Sequence, residues 1–325
     1  MKTLIRLTVA IAIMFAINNS AFAAHYEGDA GPNAWYEMDT ETGIMRIYGN
    51  GELYNYHGSW TYYSSYSQLD HTGNGVTGTQ NGAQYTGNSP LNTNFGTNRN
   101  PIYLRDYLTT VIIEEGITSV GAAFFYNCQN LTSISMPSSL TLINYEAFRS
   151  CKKLEQIEIG PNVEHVMGRW ATECDKFNYI SVNPANTHFI SIGGVLYSAD
   201  TTRLVCFPEA LNTIEYVIPE GTVFAATDAL YHLRLVQSIT IPTTMVDIEY
   251  GSFDQCPNLK TLVLKASTPP TLHKSVEGTT LTGIFVPCGE AATYSNNGNW
   301  GSYGGGHINL RHQFHIHVHE ENPLA

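Results

Sequence analysis

The chain has 325 residues and a formal net charge of −12 at pH 7, with 43% hydrophobic and 14% charged residues. This length is sufficient for a substantial buried core in one or two domains. An acidic chain without a basic run argues against nucleic acid or an anionic membrane as a partner. The 20 tyrosines and 28 glycines, with abundant Asn, Ser and Thr, are typical of exported β-rich proteins with many turns.

Residues 1–23 are predicted to be a secretory signal peptide. Lys2 and Arg6 precede an apolar run, and the segment ends in the small-x-small pattern Ala-Phe-Ala at 21–23. The apolar run is shorter than the ~20 residues that a membrane-spanning helix needs. We therefore expect cleavage before Ala24, export, and no membrane insertion. Loss of the two basic residues would lower the formal net charge to −14.

Residues 24–60 are predicted to form an N-terminal β cap. Residues 34–38 and 44–48 have the composition of two short strands, and the intervening segment from Asp39 to Gly43 is rich in turn-forming residues. The sequence therefore predicts a β-hairpin at this end.

Residues 61–107 are predicted to be an insertion and linker. The stretch 61–101 is rich in Gly, Asn, Thr, Ser and Tyr and has few aliphatic residues, so it cannot build a core of its own. A mobile surface loop is the interpretation that composition favours, and a ligand-binding loop is the alternative. In the alternative, contact area would come from the tyrosines of this stretch, Tyr62, Tyr63, Tyr66 and Tyr85.

A period of 23 residues organises residues 108–266. The repeats begin at Leu108, Leu131, Leu154, Phe177, Thr213, Val236 and Leu259, and a 13-residue insertion separates the fourth from the fifth. In all seven units the third and fifth residues after the first are apolar, which is the alternation of a strand with one buried face. A unit this short cannot bury its apolar residues alone. The sequence therefore predicts a β-rich solenoid of seven stacked units with a parallel sheet.

The second and fourth residues after each start are predicted to face solvent. They form a mostly small and polar strip that is either a solvated sheet face or a docking surface for an extended ligand. Because aromatic anchors dominate many interfaces, the candidate binding residues are Tyr179 with Gln156 and Glu158 on the neighbouring strand.

Four of the six cysteines occupy equivalent repeat positions, Cys128, Cys151, Cys174 and Cys256. Disulfides are common in exported proteins, but stacked positions have parallel Cβ vectors, which oppose the torsion that a disulfide requires. A column of buried thiols is therefore favoured. Pairing of Cys206 with Cys288 stays open.

Residues 267–325 are predicted to be a C-terminal β cap followed by a His-rich tail. His315, His317 and His319 alternate with apolar residues, so in a strand they lie on one face. Imidazoles at this spacing could bind Zn²⁺, Ni²⁺ or Cu²⁺, although three positions along a straight strand do not converge on one ion. The polar face of a closing strand is the favoured interpretation, and no cofactor is predicted.

The repeat motif from Ile117 to Pro137 and the equivalent phrase from Ile143 to Leu154 share Phe-x-x-Cys-x-x-Leu and resemble the BspA-like leucine-rich repeats of gut and oral Bacteroidota. The resemblance extends over most of the chain after residue 24. It implies a leucine-rich-repeat array with caps at both ends and a hairpin insertion at about 190–208. It also implies that Trp35, Ile44 and Ile47 cover the first turn.

No Gly-x-Ser-x-Gly, His-Glu-x-x-His or phosphate-binding glycine loop is present in the sequence, so the protein is predicted not to be an enzyme. The family resemblance implies a secreted or cell-surface protein that mediates protein interaction or adhesion to host matrix or other cells. A periplasmic location stays open. The alternative is a glycan- or metal-binding secreted module that uses the Tyr-rich insertion or the His-rich tail.

Overall fold

The architecture is that of a computed structural model. The described residues are 24–56, 84–85, 89–92, 102–273, 280–297, 300 and 310–312. The predicted signal peptide and six of the candidate ligand residues lie outside this part of the chain, namely Tyr62, Tyr63, Tyr66, His315, His317 and His319.

Two compact units divide the chain, Met1–His188 and Phe189–Ala325. The strands of the first unit are β1 His25–Gly31, β2 Ala34–Asp39, β3 Ile44–Gly49, β4 Gly51–Glu52, β5 Asn55–Tyr56, β6 Gln84–Tyr85, β7 Thr110–Ile113, β8 Ile117–Val120, β9 Ser133–Ser135, β10 Leu142–Ile143, β11 Gln156–Ile159, β12 His165–Val166 and β13 Tyr179–Val182. The strands and helix of the second unit are β14 Phe189–Ile192, β15 Val195–Ser198, β16 Arg203–Cys206, β17 Glu215–Val217, β18 Phe224–Ala225, β19 Ser238–Ile241, β20 Asp247–Ile248, β21 Thr261–Leu264, β22 Thr271–Leu272, β23 Gly283–Val286, α1 Ala291–Ser295 and β24 Leu310–His312.

Each turn of the repeat contributes a repeat strand and a shorter return strand. In the first unit the repeat strands pair in parallel as β3-β7-β9 and β11-β13, and the return strands pair as β4-β8-β10-β12. In the second unit the corresponding series are β17-β19-β21-β23-β24 and β16-β18-β20-β22. Cα partners are one period apart, as in Ile157 with Ile180. The predicted solenoid of about seven 23-residue turns is confirmed.

The inward positions of the repeat strands form the core of each unit. Val111 in the first unit and Ile239 and Leu262 in the second are fully buried. Opposite the repeat strands, the rings of Phe125 and Phe148 on consecutive turns stack with centroids 5.3 Å apart and planes 4° from parallel. Because one turn alone leaves this apolar surface open to water, the stacking of turns stabilises the fold.

The predicted column of buried thiols is confirmed. The four equivalent cysteines, Cys128, Cys151, Cys174 and Cys256, are completely buried and carry no disulfide. The Cys151 thiol donates to the carbonyl oxygen of Phe125 at 3.3 Å, and the Cys256 thiol donates to that of Leu230 at 3.2 Å. The thiols of Cys151 and Cys256 thus link their turns to the preceding ones. Cys206 is half-buried and Cys288 is exposed, and both are thiols as well.

The N-terminal cap has three antiparallel strands, whereas the sequence predicts a hairpin of two. The additional strand β1 lies at the edge of the sheet, is mostly polar, and alternates in exposure. Its composition therefore does not indicate a strand in the sequence. Asp39 accepts hydrogen bonds from the backbone N–H groups of Thr42 and Glu41 at the tight turn between β2 and β3. These bonds hold the pKa of the Asp39 carboxyl below its ordinary value.

The expectation that Trp35 and Ile44 cover the first turn is wrong, whereas Ile47 is fully buried as expected. Trp35 is 43% exposed and Ile44 is 37% exposed. Strand parity explains the difference, because Tyr36 and Met38 on β2 face the core and their neighbours therefore face outward.

The described parts of the segment 61–107 pack against the first repeats. Leu91 and Leu104 are completely buried, and the Ser89 hydroxyl donates to the carbonyl oxygen of Phe124 at 3.1 Å.

The hairpin insertion forms the antiparallel strands β14, β15 and β16, and β16 then pairs with β18 in parallel. The hairpin thus supplies a return strand to the second unit. The segment boundaries predicted from the sequence stay predictions.

Two buried aromatic side chains close the end of the second unit. The Tyr294 hydroxyl donates to the Ala266 carbonyl oxygen at 2.8 Å, and the Trp300 indole N–H donates to that of Pro270 at 2.6 Å. Both polar groups are therefore satisfied within an apolar environment. Within the described residues, no helix is long and apolar enough to cross a membrane.

Candidate binding face of the repeat strands

The repeat-strand face consists of the outward side chains of the repeat strands. Burial alternates along these strands, as in β11, where Ile157 and Ile159 are buried and Gln156 and Glu158 are exposed. Neighbouring parallel strands lie ~4.8 Å apart, so outward residues one period apart are adjacent on this face. The predicted orientation of the strip is therefore confirmed for β11.

Strands β11 and β13 place the three candidate residues of the described chain together. Gln156 lies directly beside Tyr179, and Glu158 lies beside Ser181. Tyr179 is 43% exposed. Glu158 accepts a hydrogen bond from the Asn183 side-chain amide at 3.2 Å. The β11–β13 patch thus combines an exposed aromatic ring with an amide, a carboxylate and a hydroxyl on two rigid strands.

Ion pairs between consecutive turns hold the loops beside this patch. The Arg149 guanidinium contacts Glu146 at 2.7 Å and Glu173 on the next turn at 2.6 Å. Burial acts to raise the pKa of the Glu173 carboxyl, but hydrogen bonds from Arg149 and Ser150 outweigh it, so this pKa lies below its ordinary value. Lys152 pairs with Asp175 at 3.2 Å. These contacts order the loops that precede the strands.

At the opposite ends of the strands, carboxylates bind the backbone of the following turn. Glu115 accepts hydrogen bonds from the Ser138 N–H at 2.8 Å and the Ser138 hydroxyl at 2.9 Å. These bonds, the backbone one foremost, lower the pKa of the Glu115 carboxyl. Glu220 binds the N–H and hydroxyl of Thr243 in the same way in the second unit. The repeat strands are therefore fixed at both ends before any ligand binds.

The second unit presents a more apolar version of the same face. One row of outward side chains crosses four paired strands, Val217, Thr240, Val263 and Phe285. Val217 is 58% exposed, whereas Phe285 is half-buried. The repeat spacing missed Phe285 because β23 follows β21 at a spacing of 22 residues, as the pairing of Leu262 with Ile284 shows. The alternation of apolar residues in Gly-Ile-Phe-Val at 283–286 could have indicated this strand.

No group of three or more His, Cys, Asp and Glu residues that could hold a metal ion occurs among the described residues. Burial raises the pKa of the Cys151 thiol well above its ordinary value, and it raises that of Cys256 to about 12. Such thiols stay protonated at neutral pH and are poor nucleophiles. The metal prediction for His315, His317 and His319 stays untested because these residues lie outside the described chain.

Comparison with protein families gives one match. The model of the BspA type leucine-rich repeat region matches residues 100–221 and 204–294, with six copies of the repeat. These ranges cover more than half of the chain. No match is found among curated proteins.

Several solved bacterial structures are similar at low identity. A leucine-rich repeat protein from Eubacterium ventriosum is 17% identical, with 82% of this chain and 73% of that chain covered and a TM-score of 0.45. A leucine-rich cell surface protein from Faecalibacterium prausnitzii is 24% identical, with coverage of 56% and 54% and a TM-score of 0.48. The pneumococcal vaccine antigen PcpA is 21% identical, with coverage of 55% and 51% and a TM-score of 0.48. The chain thus spans about half the length of the latter two proteins.

Proposed function

The chain belongs to the BspA-type leucine-rich repeat family, and from that premise we propose that it is a secreted or cell-surface protein that binds a protein or glycoprotein ligand through its repeat-strand face. Such binding would serve adhesion to host matrix or to other cells. Leucine-rich repeats are generally protein-interaction modules, and their stacked turns present extended binding surfaces. The predicted signal peptide supports export.

The β11–β13 patch is the observation that carries the proposal. Tyr179 supplies amphipathic contact area with few rotatable bonds, so little conformational entropy is lost when a partner covers it. Gln156 and Glu158 beside it offer donors and acceptors that orient a ligand, and the strands beneath them are held by backbone pairing. This combination of a central aromatic and a polar surround is typical of energetically dominant interface positions.

An array of matrix glycoproteins, mucins and whole bacterial cells tests the proposal with residues 24–325 as the probe. The Tyr179→Ala variant should bind its partner about 30-fold more weakly, which is the effect of losing a dominant interface side chain. Tyr250→Ala is the matched control, because Tyr250 is 45% exposed and lies outside the repeat strands. It should change affinity less than about twofold.

Two outcomes would count against the proposal. Absence of any partner across the array would remove its basis, and equal effects of the two tyrosine variants would show that the β11–β13 patch is not the site. Alanine substitution of Tyr62, Tyr63 and Tyr66 provides a third comparison, because deletion of residues 61–101 would also remove the buried Leu91. Loss of binding in this triple variant, with Tyr179→Ala without effect, would move the ligand site to the Tyr-rich insertion.

A further inference from the structure

The outer face of the N-terminal cap carries a second ordered set of exposed side chains. Strand pairing places Asp29, Trp35 and Tyr48 in one row across β1, β2 and β3. A second row beside it contains Glu27, Glu37 and Arg46. Side chains directly opposite one another on antiparallel strands have Cβ atoms about 4.5–5.5 Å apart. We name these six residues the cap face.

An aromatic pair lies at the centre of the cap face. Trp35 is 43% exposed and Tyr48 is 37% exposed, and their ring centroids are 6.2 Å apart with planes 32° from parallel. The opposite face of the same strands is fully buried at Met38 and Met45, so the strands beneath the rings are fixed. Apolar area that stays in contact with water does not stabilise the fold, so the exposed parts of these rings are available for a ligand to cover. This pair therefore offers a preformed apolar platform to a ligand.

Uncompensated negative charge borders the aromatic pair on the side of β1. Arg46 pairs with Glu37 at 3.6 Å and with Glu114 at 2.5 Å, so its charge is compensated by neighbouring carboxylates. Glu27 and Asp29 are exposed and form no ion pair with any described residue. The faces of Trp and Tyr rings attract cations through their quadrupoles, and the carboxylates add to this attraction. A cation is therefore the complementary ligand group.

We infer that the cap face binds a basic protein segment and seats a lysine or arginine side chain on Trp35 and Tyr48 within reach of Glu27 and Asp29. This surface is separate from the β11–β13 patch and does not depend on the function proposed for that patch. The ring faces supply the contact area for the cation, and the two carboxylates select for positive charge. A neutral or an acidic segment would not be attracted by the two carboxylates.

The test uses a short acetylated and amidated peptide, Gly-Arg-Gly-Arg-Gly, titrated into residues 24–325 and followed by calorimetry. The same peptide with citrulline in place of arginine keeps the shape and hydrogen-bonding groups but lacks the charge. The arginine peptide should bind, and the citrulline peptide should bind at least about fivefold more weakly. Trp35→Ala should weaken the arginine peptide about fivefold, and Asp29→Asn about twofold to fivefold.

Controls separate a site from the general attraction of an acidic chain. Glu164→Gln removes one negative charge at an exposed position outside both the cap face and the β11–β13 patch, and it should leave peptide binding unchanged, as should Tyr250→Ala. Trp35→Leu retains apolar area without the ring and should resemble Trp35→Ala if a cation is bound. Circular dichroism and thermal unfolding establish that each variant is folded.

Either of two results would overturn the inference. Equal binding of the citrulline and arginine peptides would show that the platform recognises neutral groups, as a glycan-binding surface would. Equal affinities of Trp35→Ala and Glu164→Gln for the arginine peptide would show that only the net charge of the chain attracts it.

Discussion

An arginine–glutamate link between turns of the first unit and another in the second unit differ mainly in burial. Arg149 bonds to Glu173 in the first unit at 2.6 Å, with the two side chains 26% and 27% exposed. Arg203 bonds to Glu249 in the second unit at 2.5 Å, with the two side chains 5% and 9% exposed. Each guanidinium also lies over an aromatic ring, that of Tyr126 or Phe224.

The comparison shows how the same chemistry has different energetic consequences on one scaffold. A link that water reaches is screened, and its removal leaves groups that water can solvate. A buried link is different, because loss of one partner leaves a charge in an apolar environment without compensation. Glu249 further accepts hydrogen bonds from the N–H and hydroxyl of Thr227, so one carboxylate organises three neighbouring groups. Burial therefore predicts how much stability is lost when one partner of a link is removed.

The largest effect is expected for Glu249→Gln. The neutral amide of the glutamine cannot compensate the charge of the buried Arg203 guanidinium. Both Glu249 oxygens accept hydrogen bonds, so the amide NH₂ group would face a donor of either Arg203 or Thr227. We expect the free energy of unfolding of the second unit to fall by about 3–5 kcal/mol. Urea unfolding combined with hydrogen exchange measures this, because exchange reports residues 189–273 separately from the first unit.

The double variant Arg203→Met/Glu249→Leu is the matched control for the buried link. Replacing both partners with apolar side chains removes the uncompensated charge, so its stability should lie much closer to that of the wild type. A loss of less than about 1 kcal/mol for Glu249→Gln alone, the range of an exposed pair, would contradict the argument from burial.

A smaller effect is expected for Cys151→Ala in the thiol column. The substitution leaves a small cavity in a fully buried site and removes the hydrogen bond to the Phe125 carbonyl. The free energy of unfolding of the first unit should fall by about 1–2 kcal/mol. Cys288→Ala, at an exposed cysteine, should change stability by less than about 0.5 kcal/mol. Equal losses for the two variants would show that the thiol column does not link the turns.

The half-buried link between Arg149 and Glu173 should contribute less to stability. Arg149→Met is expected to lower the free energy of unfolding of the first unit by at most about 1 kcal/mol, and less at high salt, because water and ions screen the pair. The pKa of Glu173 is lower in the folded state. Its stabilising contribution is therefore present above the ordinary carboxyl pKa and is lost as pH falls through the folded pKa.

The pH dependence provides the check on that link. Chemical unfolding at several pH values between neutrality and pH 3 should show a smaller acid-induced loss for Arg149→Met than for the wild type. Identical pH profiles for the two proteins would mean that the pair does not lower the pKa of Glu173.

The repeats and the β11–β13 patch were predictable because one period repeats seven times. Gln156 and Tyr179 are 23 residues apart, so stacking alone makes them neighbours. The buried link between Arg203 and Glu249 spans two periods and includes the hairpin strand β16, so no local pattern indicates it. Single-sequence periodicity therefore predicts contacts between equivalent positions but not those that an insertion creates.

The cap shows a prediction that strand geometry could have corrected. Ile44 and Ile47 are three residues apart and cannot share a face of one strand, yet both were expected to cover the first turn. The pairing of Met45 with Met38 shows which face is inward, and it leaves Trp35 on the outward face. The polar strand β1 offered no comparable signal, because its apolar content is too low to indicate burial.

The smallest effects concern a left-handed backbone conformation that recurs at one position of the repeat. Ala123 in the first unit has this conformation with φ of 52°, and Gly251, at the equivalent position of one turn in the second unit, has it with φ of 72°. A Cβ atom disfavours this region, whereas glycine adopts it freely. Ala123→Gly should therefore raise the free energy of unfolding by about 0.5 kcal/mol, and Gly251→Ala should lower it by about 1 kcal/mol. Thermal unfolding of the two variants measures both signs, and a shift in the same direction for both would show that side-chain contacts outweigh backbone strain at this position.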